Sequence, residues 1–130
     1  MDKLLAGRRV LVIEDEMLIL MMIEDMLADL GCESVAVASK IGPAISLIEG
    51  QEFDTAMLDL NLNGIESYPI ADALTVRNVP YFFSTGNSLT TVKDGYRNQD
   101  VLKKPFTFEQ LSAMLSSSHL HQTNVVRLKR

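Results

Sequence analysis

Strand-length apolar runs alternate along this chain with stretches of helical period, and no other feature narrows its possible folds so much. The clearest run is R-R-V-L-V-I-E at residues 8–14, whose branched side chains suit a buried strand. Residues 34–38, 53–58, 81–84 and 101–103 supply four more. Between the first two runs, residues 17–30 carry a helical pattern that Gly31 stops. Pro43 and Pro69 stand where a first helical residue belongs, opening helices toward Glu49 and Val76. Thr107, followed three residues on by Gln110, is a capping-box pattern for a last helix reaching about Ser116.

Five strands separated by helices through short connections predict an α/β fold, with a parallel sheet covered on both faces. The expected arrangement is flavodoxin-like and doubly wound, with strand order 2-1-3-4-5. Its fourth helix is expected to be weak or mobile. Residues 86–100 are mostly polar and hold only Leu89, Val92 and Tyr96 as apolar anchors, so a helix there has little to bury. The 130 residues suit one domain, read here as residues 1–118, with 119–130 a tail or frayed extension. The longest apolar run, residues 17–23, is far too short to span a bilayer, and no signal peptide is visible. One cysteine, Cys32, leaves no internal disulfide, which fits a cytoplasmic location. A net charge of −5 argues against a broad nucleic-acid surface and against DNA as a partner.

Open sheets of this order bind ligands beyond the carboxyl ends of their strands, where the order reverses, here between strands one and three. Glu14 and Asp15 end strand one, with Glu16 just after, and Asp59 ends strand three. Carboxylates converging there repel one another unless a hard cation balances them, and Mg²⁺ takes a few carboxylates plus water and phosphate oxygens. Strand four ends in Ser84-Thr85-Gly86 and strand five in Lys103-Lys104-Pro105, bringing a hydroxyl and an ammonium to the same edge. Phosphoryl transfer rests on positioning and charge neutralisation, and a carboxylate can be its covalent acceptor. Each part alone is an ordinary cap or turn; the joint placement at one edge is what points to a site.

At these residues the chain resembles the receiver domain of bacterial response regulators. V-L-V-I-E-D-E, M-L-D-L-N-L-N-G, F-F-S-T-G and K-K-P-F carry the resemblance, in that order. It implies that Asp59 accepts a phosphoryl group from a histidine kinase, within a two-component system or phosphorelay. It further implies that Glu14, Asp15, Asp59 and the Asn61 carbonyl hold Mg²⁺, with Glu14 acting through water. By the same resemblance Thr85 bonds the phosphoryl oxygens and Lys104 pairs with them, and the bond before Pro105 is often cis. F-F-S-T-G-N resembles the Phe-Ala-Thr-Gly signature of the stand-alone alphaproteobacterial "FATGUY" receivers, with Ser84 in place of alanine. Val101 stands where such domains usually carry an aromatic switch residue. On this reading the protein is a phospho-acceptor signalling module and not an enzyme.

Two surfaces are expected to carry the signal. In the first helix Ile19, Met22, Ile23, Met26, Leu27 and Leu30 should face the sheet. Met17, Leu18, Leu20 and Met21 are left over, an apolar surplus suited to docking the helices of a kinase or histidine phosphotransfer protein. The second surface is residues 86–100, which phosphorylation should order. Rival readings are a phosphorylation-independent scaffold, an FMN-binding flavodoxin-like protein and a metal-dependent phosphatase. Glu14-Asp15-Glu16 would repel an FMN phosphate, and Asn61 stands where a phosphatase of this kind needs a second acid.

Overall fold

The computed structural model describes residues 3–86 and 92–116. Its elements run β1 (Arg9–Ile13), α1 (Met17–Asp29), β2 (Ser34–Ala38), α2 (Ile41–Gly50), β3 (Thr55–Asp59), β4 (Asn61–Leu62), β5 (Ile65–Glu66), α3 (Tyr68–Val76), β6 (Tyr81–Thr85), β7 (Val101–Lys103) and α4 (Phe108–Leu115). The main sheet has order β2-β1-β3-β6-β7 and is parallel throughout. Counting only its own strands along the chain, this is the expected 2-1-3-4-5.

Alternating side chains feed two cores. Leu11, Ile13, Ala56, Leu58, Tyr81 and Phe83 pack with α2 and α3 on one face. Val10, Val12, Met57, Phe82 and Leu102 pack with α1 and α4 on the other. The central strand β3 is buried along its whole length, as a strand covered on both faces must be. Leu5 joins the second core at 0% exposure, held by its N–H donating to Leu30 O at 2.9 Å. It precedes the first strand and had no periodic signal in the sequence.

Helix ends follow local chemistry. Gly31 adopts φ +90° just past α1, and the Thr107–Gln110 capping box forms in both directions. Helices α2 and α3 start earlier than expected, at Ile41 and Tyr68, so Pro43 and Pro69 lie inside the first turn. The position costs nothing, because first-turn N–H groups have no intrahelical partner to lose.

Two connections in the chain are not simple strand-to-helix turns. A small antiparallel hairpin, β4–β5, follows Asp59, turning at Asn63 (φ 54°) and Gly64 (φ 91°). Asn-Gly is the strongest short hairpin signal, and that dipeptide was legible. Residues 92–100 form turns and bends rather than helix, as a weak fourth helix implies. They are nevertheless well anchored. Tyr96 stacks on Tyr68 with ring centroids 4.5 Å apart and donates its hydroxyl to Asp72 Oδ1 at 2.7 Å. Lys93 Nζ lies 4.9 Å from the Tyr68 ring centre and 3.7 Å from Glu66. Leu89 and the expected tail at 119–130 lie outside the described residues.

Helix α1 corrects one expectation. Leu20 is only 9% exposed and packs in the second core with Ile23 and Leu27, so it is not part of the surplus. Met17, Leu18 and Met21 remain exposed, at 67%, 81% and 52%. The helix turns its buried stripe one position toward Leu20, leaving Ile19, Met22 and Met26 half-buried at its margins.

Candidate functional site

Strand alternation builds the site. Val12, Met57, Phe82 and Leu102 all face the α1/α4 core. Two residues further on each strand's path, and so directed to the same face, come Glu14, Asp59, Ser84 and Lys104. Asp59 is the register partner of Ser84, and Ser84 of Leu102. Ile13 pairs with Leu58, which brings Glu14 level with Asp59. A row of polar groups therefore caps the apolar core at the carboxyl edge of the sheet.

Lys104 ties the row together. Its Nζ lies 2.8 Å from Glu14 Oε1 and 3.0 Å from Asp59 Oδ2, with Glu16 Oε1 at 3.9 Å. Its side chain is 9% exposed, and the paired carboxylates of Glu14 and Asp59 are 1% and 6% exposed. The backbone holds it there: Lys104 N–H donates to Thr85 O at 2.8 Å, and the Lys104–Pro105 bond is cis. Lys103 is exposed and points away from this row by alternation.

The acids are individually held. Glu14 Oε2 accepts the Glu16 N–H at 3.1 Å, and Asp59 Oδ1 accepts the Asn61 N–H at 3.2 Å. Asn61 spends its side-chain Oδ1 on the Gly64 N–H at 2.7 Å. Its main-chain carbonyl is thus the oxygen it can offer a cation. Carboxylate oxygens of Glu14, Asp15 and Asp59 lie within 4.8 Å of one another. Such an all-oxygen, multiply charged set suits a hard divalent cation, and the donors fit Mg²⁺ in type and number.

Burial pushes the Asp59 carboxyl up to about 6, and the neighbouring Glu14 charge adds to this, against the lowering effect of Lys104 and the Asn61 N–H. Burial disfavours the charged form of Lys104, yet its two carboxylate partners outweigh that and raise it above the usual lysine range. The site is thus an acid-rich pocket whose charge one ammonium only partly offsets. It could bind a cation, and its central carboxylate could attack an electrophile whose developing negative charge the ammonium then meets.

The structure brings Glu14, Asp15, Asp59, Asn61 and Lys104 together. Thr85 ends β6, 8% exposed, one residue beyond the partner of Asp59 at the same edge. Two participants were placed at this edge from sequence but given no role in the site. Glu16 is an outer partner of Lys104. Ser84 is 1% exposed and abreast of Asp59; its signal was its spacing two residues beyond Phe82.

The sequence matches the family described as "Response regulator receiver domain" over residues 10–116. No curated protein matches it. Among solved structures it is similar to SdrG from Sphingomonas melonis Fr1, with 38% identity and TM-score 0.76 over 84% of this chain and 93% of that one. It is also similar to the receiver domain of the sensor histidine kinase PA1611 from Pseudomonas aeruginosa PAO1, which has a magnesium ion coordinated in its active-site cleft. That match has 28% identity and TM-score 0.70, over 85% of this chain and 95% of the other. The anti-anti-sigma factor PhyR from Bartonella quintana matches with 27% identity and TM-score 0.75, over 91% of this chain but half, 50%, of its own.

Proposed function

The chain belongs to the response regulator receiver domain family, and from that premise we propose that it accepts a phosphoryl group on Asp59 and signals by protein contact. The observation that carries this reading is the Lys104 ammonium held between two buried carboxylates, 2.8 Å from Glu14 and 3.0 Å from Asp59. An Asp59 oxygen attacks the phosphorus of a phosphohistidine. The phosphorus–nitrogen bond breaks, its electron pair returns to the imidazole, which takes up a proton, and an acyl phosphate forms on Asp59. Lys104 shifts to the incoming phosphoryl oxygens, and the Thr85 hydroxyl donates to another. Glu14, Asp15, Asp59 and the Asn61 carbonyl would hold Mg²⁺, Glu14 through water. The ion supplies the positive charge that lets a dianionic group approach so many acids.

A receiver is a signalling domain, so turnover of a substrate is not its task. Beside the acids, the exposed Met17, Leu18 and Met21 at the start of α1 offer an adaptable apolar surface for the donor, a histidine kinase or histidine phosphotransfer protein. The anti-anti-sigma factor among the structural neighbours supports a protein as the output partner as well. The F-F-S-T-G stretch supports the FATGUY subtype. Incubation with a phosphorylated histidine kinase and Mg²⁺ tests the reading. Label should pass to the wild type and not to Asp59→Asn; equal labelling of both, or of neither, overturns it.

A further inference from the structure

Ser84 is the one member of the polar row whose function the phospho-acceptor reading leaves open. It is 1% exposed, and its Oγ finds no hydrogen-bond partner among the described residues. A buried hydroxyl without a partner forfeits its hydration for nothing in return, and native structures rarely tolerate one without a reason. Its position supplies the reason. Ser84 is the direct register partner of Asp59 on the adjacent parallel strand, and both side chains follow core residues, Phe82 and Met57, on the same face. The neighbouring acceptor is already occupied: Asp59 Oδ2 receives Lys104 and Oδ1 receives the Asn61 N–H.

We propose that Ser84 is a positioning residue that sets the lifetime of the phosphorylated state by donating its hydroxyl to the Asp59 carboxyl once that carboxyl is phosphorylated. The inference rests on the phospho-acceptor reading of Asp59. Phosphorylation draws the Lys104 ammonium from Oδ2 to the phosphoryl oxygens, leaving the acyl oxygen short of a donor beside an unspent hydroxyl. In hydrolysis a water oxygen attacks phosphorus and the bond from phosphorus to the Asp59 oxygen breaks. Its electron pair returns to the carboxylate, the water proton passes to solvent, and inorganic phosphate leaves. Negative charge grows on the Asp59 carboxyl as this happens. A donor placed there stabilises the departing carboxylate more than the acyl phosphate, and so speeds the release of phosphate.

The test is the decay of the labelled protein after the donor kinase is removed. Ser84→Ala deletes one oxygen and should lengthen the half-life about three- to tenfold, a fraction of what a full charge-assisted hydrogen bond supplies. Infrared difference spectra of the acyl phosphate should show its carbonyl stretch at higher frequency in Ser84→Ala, because a lost donor strengthens the C=O bond. Unchanged or faster decay with wild-type label uptake overturns the inference alone, as does slower decay with an unmoved carbonyl band. A wild type that takes no label overturns the phospho-acceptor reading and this inference with it.

Discussion

At the residue scale the site is governed by an imbalance of charge that Lys104 only partly relieves. Asp59 in the folded, metal-free protein titrates at about 6, against 3.8 for a free aspartate, so the native state holds its proton more tightly than the unfolded chain does. Linkage then gives the sign: Asp59 favours the fold below about pH 4, and that contribution is lost as pH rises through about 6. The loss is at most roughly 3 kcal/mol. Denaturant melts of wild type and Asp59→Asn in chelator should therefore diverge between pH 4 and pH 7, with the variant relatively more stable at pH 7. Parallel pH profiles would mean that Asp59 carries no such strain. The cause was legible only in outline. Glu14, Asp15 and Asp59 could be read as convergent from their strand ends, but not that Lys104 would reach both Glu14 and Asp59.

At the element scale two surfaces carry predictions. Leu18 is 81% exposed at the start of α1 while Leu20 is buried. Leu18→Glu should accordingly leave the melting temperature within a few degrees of wild type and slow phosphoryl transfer from a kinase by about tenfold or more. Loading from a small phosphodonor should be unaffected; an equal loss in both assays would place the defect in the site instead of the helix. Residues 92–100 are secured by Tyr96, whose bond to Asp72, with burial second, holds its hydroxyl up at about 12. In an ultraviolet titration, Asp72→Asn should move one tyrosine ionisation from about 12 down toward 10; an unchanged curve would mean that Asp72 does not hold the hydroxyl. Tyr96→Ala should also speed amide exchange across this segment, since Tyr68 and Phe83 would lose their aromatic neighbour. Polar composition made the segment look poorly anchored; the stacking partner, Tyr68, comes from a helix far away in sequence.

At the scale of the whole molecule, stability should depend on the divalent ion. Balancing three acids at the carboxyl edge relieves repulsion that the fold otherwise carries, so Mg²⁺ should raise the melting temperature and chelator should reverse it. Protons compete for the same oxygens. The stabilisation at a fixed Mg²⁺ concentration should be larger at pH 7 than at pH 5, and Asp59→Asn should reduce it. An equal shift at both pH values would place the ion elsewhere. The β4–β5 hairpin bears on the same edge, because Asn61 both caps Asp59 and closes the Asn63–Gly64 turn. Gly64 sits at φ +91°, so a side chain there would strain the loop that carries the Asn61 carbonyl.

The amino-acid sequence by itself determined the layered α/β fold and its strand order, because alternation, caps and β-branched runs are local properties that each segment carries alone. It also determined which residues reach the carboxyl edge, since a strand's last residues can be counted. Tertiary structure decided what those residues do to one another. Which face of α1 is buried, and so the fate of Leu20, depends on the rotation at which the helix settles on the sheet. That Lys104 bridges Glu14 and Asp59, and that Ser84 stands beside Asp59 with no hydrogen-bond partner for its hydroxyl among the described residues, depend on the register between strands separated by tens of residues. Register is a property of pairs of strands, and no single segment encodes it.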